Sequence, residues 1–211
     1  LRRHALGILR MLIEKELPLS LDKLIAIGTE EESVVPGVKD ATEELKQFFH
    51  DRLRVMQKDQ GFTAHEVESV IGSEPAILAD VPKRLKAVHD FMSLPEAESL
   101  AAANKRIENI LKKNTLPLAD AVDPALLTEK EEKDLYEAIR TLEPKLEADY
   151  KAGRYEDELR SLAPLKAPVD AFFDKVMVNA EDEALRRNRL TLLNELHKAM
   201  NQVAKLSCLA S

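Results

Sequence analysis

Cys208 is the only cysteine in 211 residues, and there is no tryptophan. A lone thiol excludes a disulfide framework and a cysteine-built metal site, and its natural setting is a reducing cytoplasm. The 6 glycines, at 7, 28, 37, 61, 72 and 153, are isolated, so no glycine-rich phosphate loop exists. The histidines at 4, 50, 65, 89 and 197 never recur at the spacing of a helical zinc site, so no metal is expected. Apolar runs fall far short of the roughly 20 residues a membrane span needs, and LRRHALGILRMLIEKE (1–16) is too interrupted by charge for a signal peptide. Basic excess is missing too. With 31 Lys and Arg against 38 Asp and Glu, the net charge of −7 argues against a generic coat on DNA or a membrane. No strained nucleophile turn accompanies the serines or the cysteine, so no catalytic residue is expected. The chain opens on a leucine already in helical register, which points to a piece of a longer protein.

What is present is apolar residue at 45% and charged residue at 33%, enough for one large or two small helical domains. Leu6, Leu9, Ile13 and Leu17 predict an amphipathic helix stopped by Pro18. A shorter helix over 21–27 should end at Gly28, with a loop through the PG at 36–37. Residues 38–59 form a long helix ended by Gly61, and Thr63 with Glu66 forms a capping box for a helix to 71. Helices near 75–93 and 96–113 follow. NTLPLADAVDP (114–124) has two prolines and no helical period, so it is a connection. Beyond it lie helices near 128–151, 154–178 (interrupted around Pro164 and Pro168) and 180–207. Strand alternation is absent, so the expected fold is all-α, with a helical body over 1–95 and a helical bundle over 96–211.

Two basic clusters stand out on this acidic background. In EAESLAAANKRIENILKKN (96–114), Leu100, Ala103, Ile107, Ile110 and Leu111 make the buried stripe. Lys105, Arg106, Asn109, Lys112 and Lys113 line its polar flank. Periodicity alone favours a solvated face whose lysines suit the C-terminal end of the helix dipole. In EDEALRRNRLTLLNEL (181–196), Asn179 with Asp182 predicts a capped start near 180. Arg187 is four residues from Glu183 and Arg186 four from Asp182, both ion-pair spacings. Arg189 lies about 40° from Leu185, inside the apolar arc. It must meet a buried carboxylate or sit where the core ends and a partner begins; the residues alone favour the ion pair.

At these residues the sequence resembles a known family. PVDAFFDKVMVNAEDEALRRNRLTLLNEL (168–196) resembles the C-terminal signature of bacterial glycyl-tRNA synthetase β subunits. Its EALRRNRLTLL core resembles the DALR class of anticodon-binding domains, shared with arginyl-tRNA synthetase. SLAAANKRIENILKK (99–113) is close to the glycyl family's pattern. FFHDRLRVMQKDQGFTAHEVESVI (48–71) and LRRHALGILRMLIE (1–14) fit the helical region before that domain. The resemblance covers essentially the whole chain. It departs at the tail VAKLSCLAS (203–211), leaving a role for the extreme C-terminus open, and at Asn179, where another methionine is the family expectation.

The resemblance implies a ligase whose α subunit makes glycyl-adenylate with ATP and Mg, paired with β subunits in an α2β2 tetramer. The β subunit binds glycine tRNA, and this piece needs no cofactor of its own. It also implies an RNA-binding set of Asn104, Lys105, Arg106, Asn109, Lys112, Lys113, Arg186, Arg187, Asn188 and Arg189. Asparagines and arginines there would read unpaired bases, and lysines would hold phosphates. The two clusters form one surface if the first and last helices of the domain pack together. Phe172 and Phe173 are expected in the core. The competing expectation is a structural scaffold that docks the rest of the synthetase without touching RNA.

Overall fold

The computed structural model describes residues 2–32 and 41–210, and among these the chain is all-α apart from one isolated bridge between Ser20 and Ile77. The expected loop at 36–37 and the expected helix start at 38 lie outside the described residues. The chain forms two compact units, Leu1–Lys86 and Ala87–Ser211. The division falls inside a helix, where the sequence suggested 95/96.

In the first unit, α1 (Arg2–Glu14) buries Ala5, Leu9 and Leu12. It ends before Pro18, because Glu16 takes a left-handed φ of 48° and Leu17 N–H closes onto Leu12 O at 2.9 Å. α2 (Leu21–Glu32) runs straight through Gly28, where the sequence suggested a stop. A glycine in mid-helix weakens it by only about 1 kcal/mol against alanine, too little to end a helix held by packing. α3 (Thr42–Asp59) packs on α1, α2 and α4 (Ala64–Ile71). Gly61, just beyond α3, has φ 101°, a conformation that favours glycine. The capping box at α4 forms as the sequence predicts. Glu66 N–H donates to Thr63 Oγ1 at 3.2 Å, and Thr63 N–H donates to Glu66 Oε2 at 2.7 Å.

The second unit begins within α5 (Val81–Met92), whose Ala87, Val88 and Phe91 are buried. It continues with α6 (Ala97–Lys113), α7 (Lys130–Lys151), α8 (Tyr155–Arg160), α9 (Lys166–Lys175) and α10 (Glu183–Met200). α6 packs on α10 and on a 3-10 turn at Leu206–Leu209, while α7 packs on α9 and α10. Leu100, Ile107, Leu135, Ile139, Phe172 and Leu196 are core residues, each no more than 1% exposed. The break between α8 and α9 falls around Pro164 alone. Pro168 is the third residue of α9, where a missing N–H costs nothing.

α10 is shorter than expected at both ends. Its cap is Asp182, whose Oδ1 accepts from Leu185 N–H at 3.0 Å, and Asn179 lies in the preceding loop. The two are three positions apart, and only Asp182 is close enough to reach the first free amides. After Met200 the chain leaves the helix, and Val203, Ala204, Leu206 and Leu209 bury themselves. The divergent tail is therefore part of the core.

Candidate nucleic-acid interface

α6 presents two of its faces very differently. Ala97, Leu100, Ala101, Asn104 and Ile107 are buried. The other face exposes Lys105, Arg106, Asn109, Lys112 and Lys113. Asn104, expected among the RNA contacts, is fully enclosed, and neither amide atom has a protein partner. At 100° per residue it follows Leu100 and Ala101 onto the packed face. Arg106 lies over Phe173, with its guanidinium carbon 4.2 Å from the ring centre. Phe172 is fully buried and meets Phe173 edge-on at 5.6 Å, so Phe173 is the support beneath Arg106. Lys112 pairs with Glu108 at 3.0 Å, and Lys205 reaches the same carboxylate at 3.1 Å. Burial works to raise the Glu108 pKa, but hydrogen bonds from Ser207, Lys112 and Lys205 outweigh it and lower it to about 2. The tail thus clamps α6 through Lys205 and Ser207.

The basic knot on α10 divides residue by residue. Arg187 pairs with Glu183 at 3.1 Å, as its spacing predicts. Asp182 is occupied as the helix cap, and among the described residues the Arg186 side chain has no hydrogen-bonding or ionic partner; its Nε is buried without one. Asn188 is 3% exposed and turned inward. Its Oδ1 accepts from Asp123 N–H at 2.8 Å and its Nδ2 donates to Asp123 O at 3.0 Å. Thr191 and Glu195, further along the same helix, accept from Ala119 N–H and Val122 N–H at 3.1 and 3.2 Å. This stripe satisfies the backbone of the proline-containing connection, which has no helix of its own to do so.

Arg189 meets a buried carboxylate. Its Nε donates to Glu132 Oε1 at 2.7 Å, and its Nη1 donates to Met177 O at 2.8 Å. Glu132 is fully buried and also accepts from Glu129 N–H at 2.8 Å and Thr128 N–H at 3.0 Å. Burial pushes its pKa up, and the bonds from Arg189, Glu129 and Thr128 bring it net below the usual carboxylate value. Asn104, Asn188 and Arg189, all in the expected RNA-binding set, are thus committed inside the domain. They lie on packed faces, 0%, 3% and 5% exposed respectively.

Five of the remaining seven residues line two adjoining grooves, and Lys112 and Arg187 line neither. Lys105, Arg106, Asn109, Ile110 and Lys113 line one groove of about 440 Å³ along α6. Ile110 and Lys113 also line a second groove of about 440 Å³, completed by Leu116, Asn179, Arg186 and Leu190. The expected adjacency of the two clusters is met at Lys113 and Arg186. Neither lining contains a single carboxylate, although acids outnumber bases 38 to 31 along the chain. Lys105, Lys113 and Arg186 have no ion-pair partner among the described residues, so their field is uncompensated. Asn179 and Leu116 were not anticipated as lining residues. Both lie in irregular segments, where no periodicity shows which way a side chain faces. Among the described residues there is no cluster of three or more His, Cys, Asp or Glu able to hold a metal ion, and no helix is long and apolar enough to cross a membrane.

Comparison with known proteins gives this face a family. The chain is 53% identical to the glycine–tRNA ligase beta subunit of Delftia acidovorans, 51% to that of Dechloromonas aromatica and 48% to that of Nitrosomonas eutropha. Each alignment covers 100% of the chain but only 30 or 31% of the relative, so the chain spans under a third of their length. Residues 1–72 match the family described as glycyl-tRNA synthetase beta subunit. Residues 100–207, just over half of the chain and including both grooves, match the DALR anticodon binding domain, and the chain belongs to that family.

Proposed function

We propose that this chain is the tRNA-gripping part of a glycine–tRNA ligase β subunit. In this reading residues 96–211 hold the anticodon region of glycine tRNA, and residues 1–95 are the body region that precedes it. The observation that carries the reading is the pair of adjoining carboxylate-free grooves with Lys105, Arg106, Lys113 and Arg186 in their walls. A polyanion draws most of its binding energy from phosphate contacts, and each uncompensated cation adds to it. An acidic body repels RNA elsewhere and so directs it to this face.

The ten expected RNA contacts then take three roles. Lys105, Arg106, Asn109, Lys113 and Arg186 touch RNA. Lys112 and Arg187, already paired with Glu108 and Glu183, contribute less, because a phosphate must compete with a carboxylate. Asn104, Asn188 and Arg189 shape the frame. The piece itself binds no cofactor. The partner α subunit, in an α2β2 tetramer in the cytoplasm, uses ATP and Mg to activate glycine before transfer to the tRNA.

The test is binding of glycine tRNA against a transcript with a changed anticodon, by the complete ligase at fixed salt. The reading expects weaker binding of the changed transcript and a further loss in both when Lys105 and Lys113 become glutamate. Equal affinity for the two transcripts would remove the anticodon from the proposal.

A further inference from the structure

We infer that the apolar groove of the first unit seats a helix from the part of the β subunit polypeptide that lies outside these 211 residues. The inference rests on the β-subunit reading but not on its RNA-binding half. The groove, of about 440 Å³, is built by α1, α2 and α3. Leu21, Leu24, Ile25 and Gly28 form its α2 wall, a stripe at i, i+3, i+4 and i+7. Leu21 and Ile25 are buried within the unit, Leu24 is half-buried, and Gly28 is exposed.

The first supporting observation is the lack of any polar demand. Among the described residues Thr29 is the only polar side chain of the lining, and its Oγ1 donates to Ile25 O and Ala26 O, both at 3.0 Å. Met11, Leu19 and Ile8 of the same lining are nevertheless 58%, 44% and 40% exposed. Large apolar side chains gathered around one groove mark an interaction site.

The second observation is Gly28. It stands in mid-helix, where glycine weakens a helix relative to alanine, and a Cβ added there would meet nothing within 4 Å. Neither the turn of the chain nor the packing of this unit requires a glycine. Its missing side chain keeps the groove open to the close approach of another backbone.

The occupant follows from the lining and from the family. Every lining residue falls between Ile8 and Phe49, inside the segment 1–72 that matches the glycyl-tRNA synthetase beta subunit family. The relatives carry more than two thirds of their length outside the segment matched by this chain. Interfaces between separately folded partners carry roughly one hydrogen bond per 100–200 Å². This lining has no free side-chain group to make one, and resembles a domain core cut in half. A helix with apolar residues at i, i+3, i+4 and i+7 fits it.

The test uses the complete ligase with a photoreactive residue, Met11→benzoylphenylalanine or Ile27→benzoylphenylalanine, both at exposed positions. After irradiation, mass spectrometry should find links to β-subunit peptides outside these 211 residues, with the β subunit still running at its own mass on a denaturing gel. A link to the α subunit or to a second β subunit, seen as a heavier band, overturns the inference. Links only within these residues, or none from either site, overturn it as well. A second measurement fills the groove. Gly28→Leu should lower the unfolding midpoint of the ligase by several degrees, read by scanning calorimetry, because it overpacks an occupied groove. Ala26→Leu, at an exposed position of α2 outside the lining, should leave the midpoint unchanged. An unchanged or raised midpoint for Gly28→Leu means open solvent there and overturns the inference. A chain that fails to copurify with the α subunit sinks the β-subunit reading and this inference together, whereas a link to the α subunit sinks this inference alone.

Discussion

The two compact units carry grooves of the same size, about 440 Å³, with opposite linings. In the first unit Ile8, Met11, Leu17, Leu24, Leu45 and Phe49 line an apolar groove without a charged side chain. Among the described residues, five of the six large exposed apolar side chains, Ile8, Met11, Leu19, Ile27 and Val55, belong to that unit, and only Met177 to the second. In the second unit the groove mixes Ile110, Leu116 and Leu190 with Lys113, Asn179 and Arg186. Both units are helical and sit in an acidic chain. Helix content and net charge therefore do not distinguish them; the side chains left unpartnered do. A lipid-like lining offers a phosphate nothing, while an uncompensated guanidinium offers it most of its binding energy.

The ion pairs differ in the same way, and that contrast gives the largest expected effect. Lys46 and Arg54 in the first unit pair with carboxylates that are about half exposed or more. Arg189 and Glu132 are 7% and 0% exposed. Arg189→Ala should therefore cost about 3–5 kcal/mol of unfolding free energy by leaving a buried carboxylate unpaired, whereas Arg54→Ala should cost about 1 kcal/mol or less. Urea unfolding of the two variants measures both.

Next in size is the contrast between the grooves. Reversing Lys105, Lys113 and Arg186 to glutamate should lower RNA affinity at least tenfold and reduce the salt slope by about 2, at about 0.7 per phosphate contact. Reversing the exposed Arg2, Arg3 and Lys58 of the first unit should change affinity by less than about twofold. A matching loss from both sets would mean that net charge, rather than this face, attracts RNA. A smaller effect is local to the first unit. Thr63→Ala removes the capping box and should cost about 1 kcal/mol, read as faster amide exchange in α4.

The smallest effect comes from acidity. Burial lowers the pKa of His197, with Lys205 and Lys112 adding to it and Glu108 opposing; burial and Arg54 likewise lower that of His50. A histidine whose folded pKa lies below its ordinary 6.5 binds more protons when unfolded, so stability falls as pH drops through 6.5. His197→Gln should flatten that decline in the second unit alone, and His50→Gln in the first. Glu108 behaves in a separate window: its contribution is complete above the ordinary 4.5 and is lost as pH falls toward about 2. Unfolding midpoints between pH 7 and 5.5, and again below 4.5, separate the two groups.

Much of this molecule is legible without coordinates. The all-α class follows from 3.6-residue periodicity, and the capping box at Thr63 and Glu66 is a local hydrogen-bond pattern complete within four residues. The Arg187–Glu183 pair is equally local. Errors gather at helix ends and at single polar residues. Gly28 does not end α2, and Asp182 replaces Asn179 as cap, because termini balance several weak preferences that packing overrides. Asn104 and Asn188 look identical to exposed asparagines in sequence; what distinguishes them is the helix rotation and a partner 65 residues away at Asp123.

The sequence by itself determined the helices, the absence of a cysteine or glycine-loop chemistry, the two basic clusters and their resemblance to an anticodon-binding domain. Each rests on interactions within a few residues, or on patterns shared across relatives. Only the tertiary structure decided that Arg189 faces Glu132, 57 residues away, while Arg186 faces an open groove with Lys113 and Asn179. Arg186 and Arg189 are three positions apart on one helix, with the same chemistry. Whether a guanidinium is buried or presented depends on which carboxylate the fold brings within reach, and that is a property of packing between distant segments.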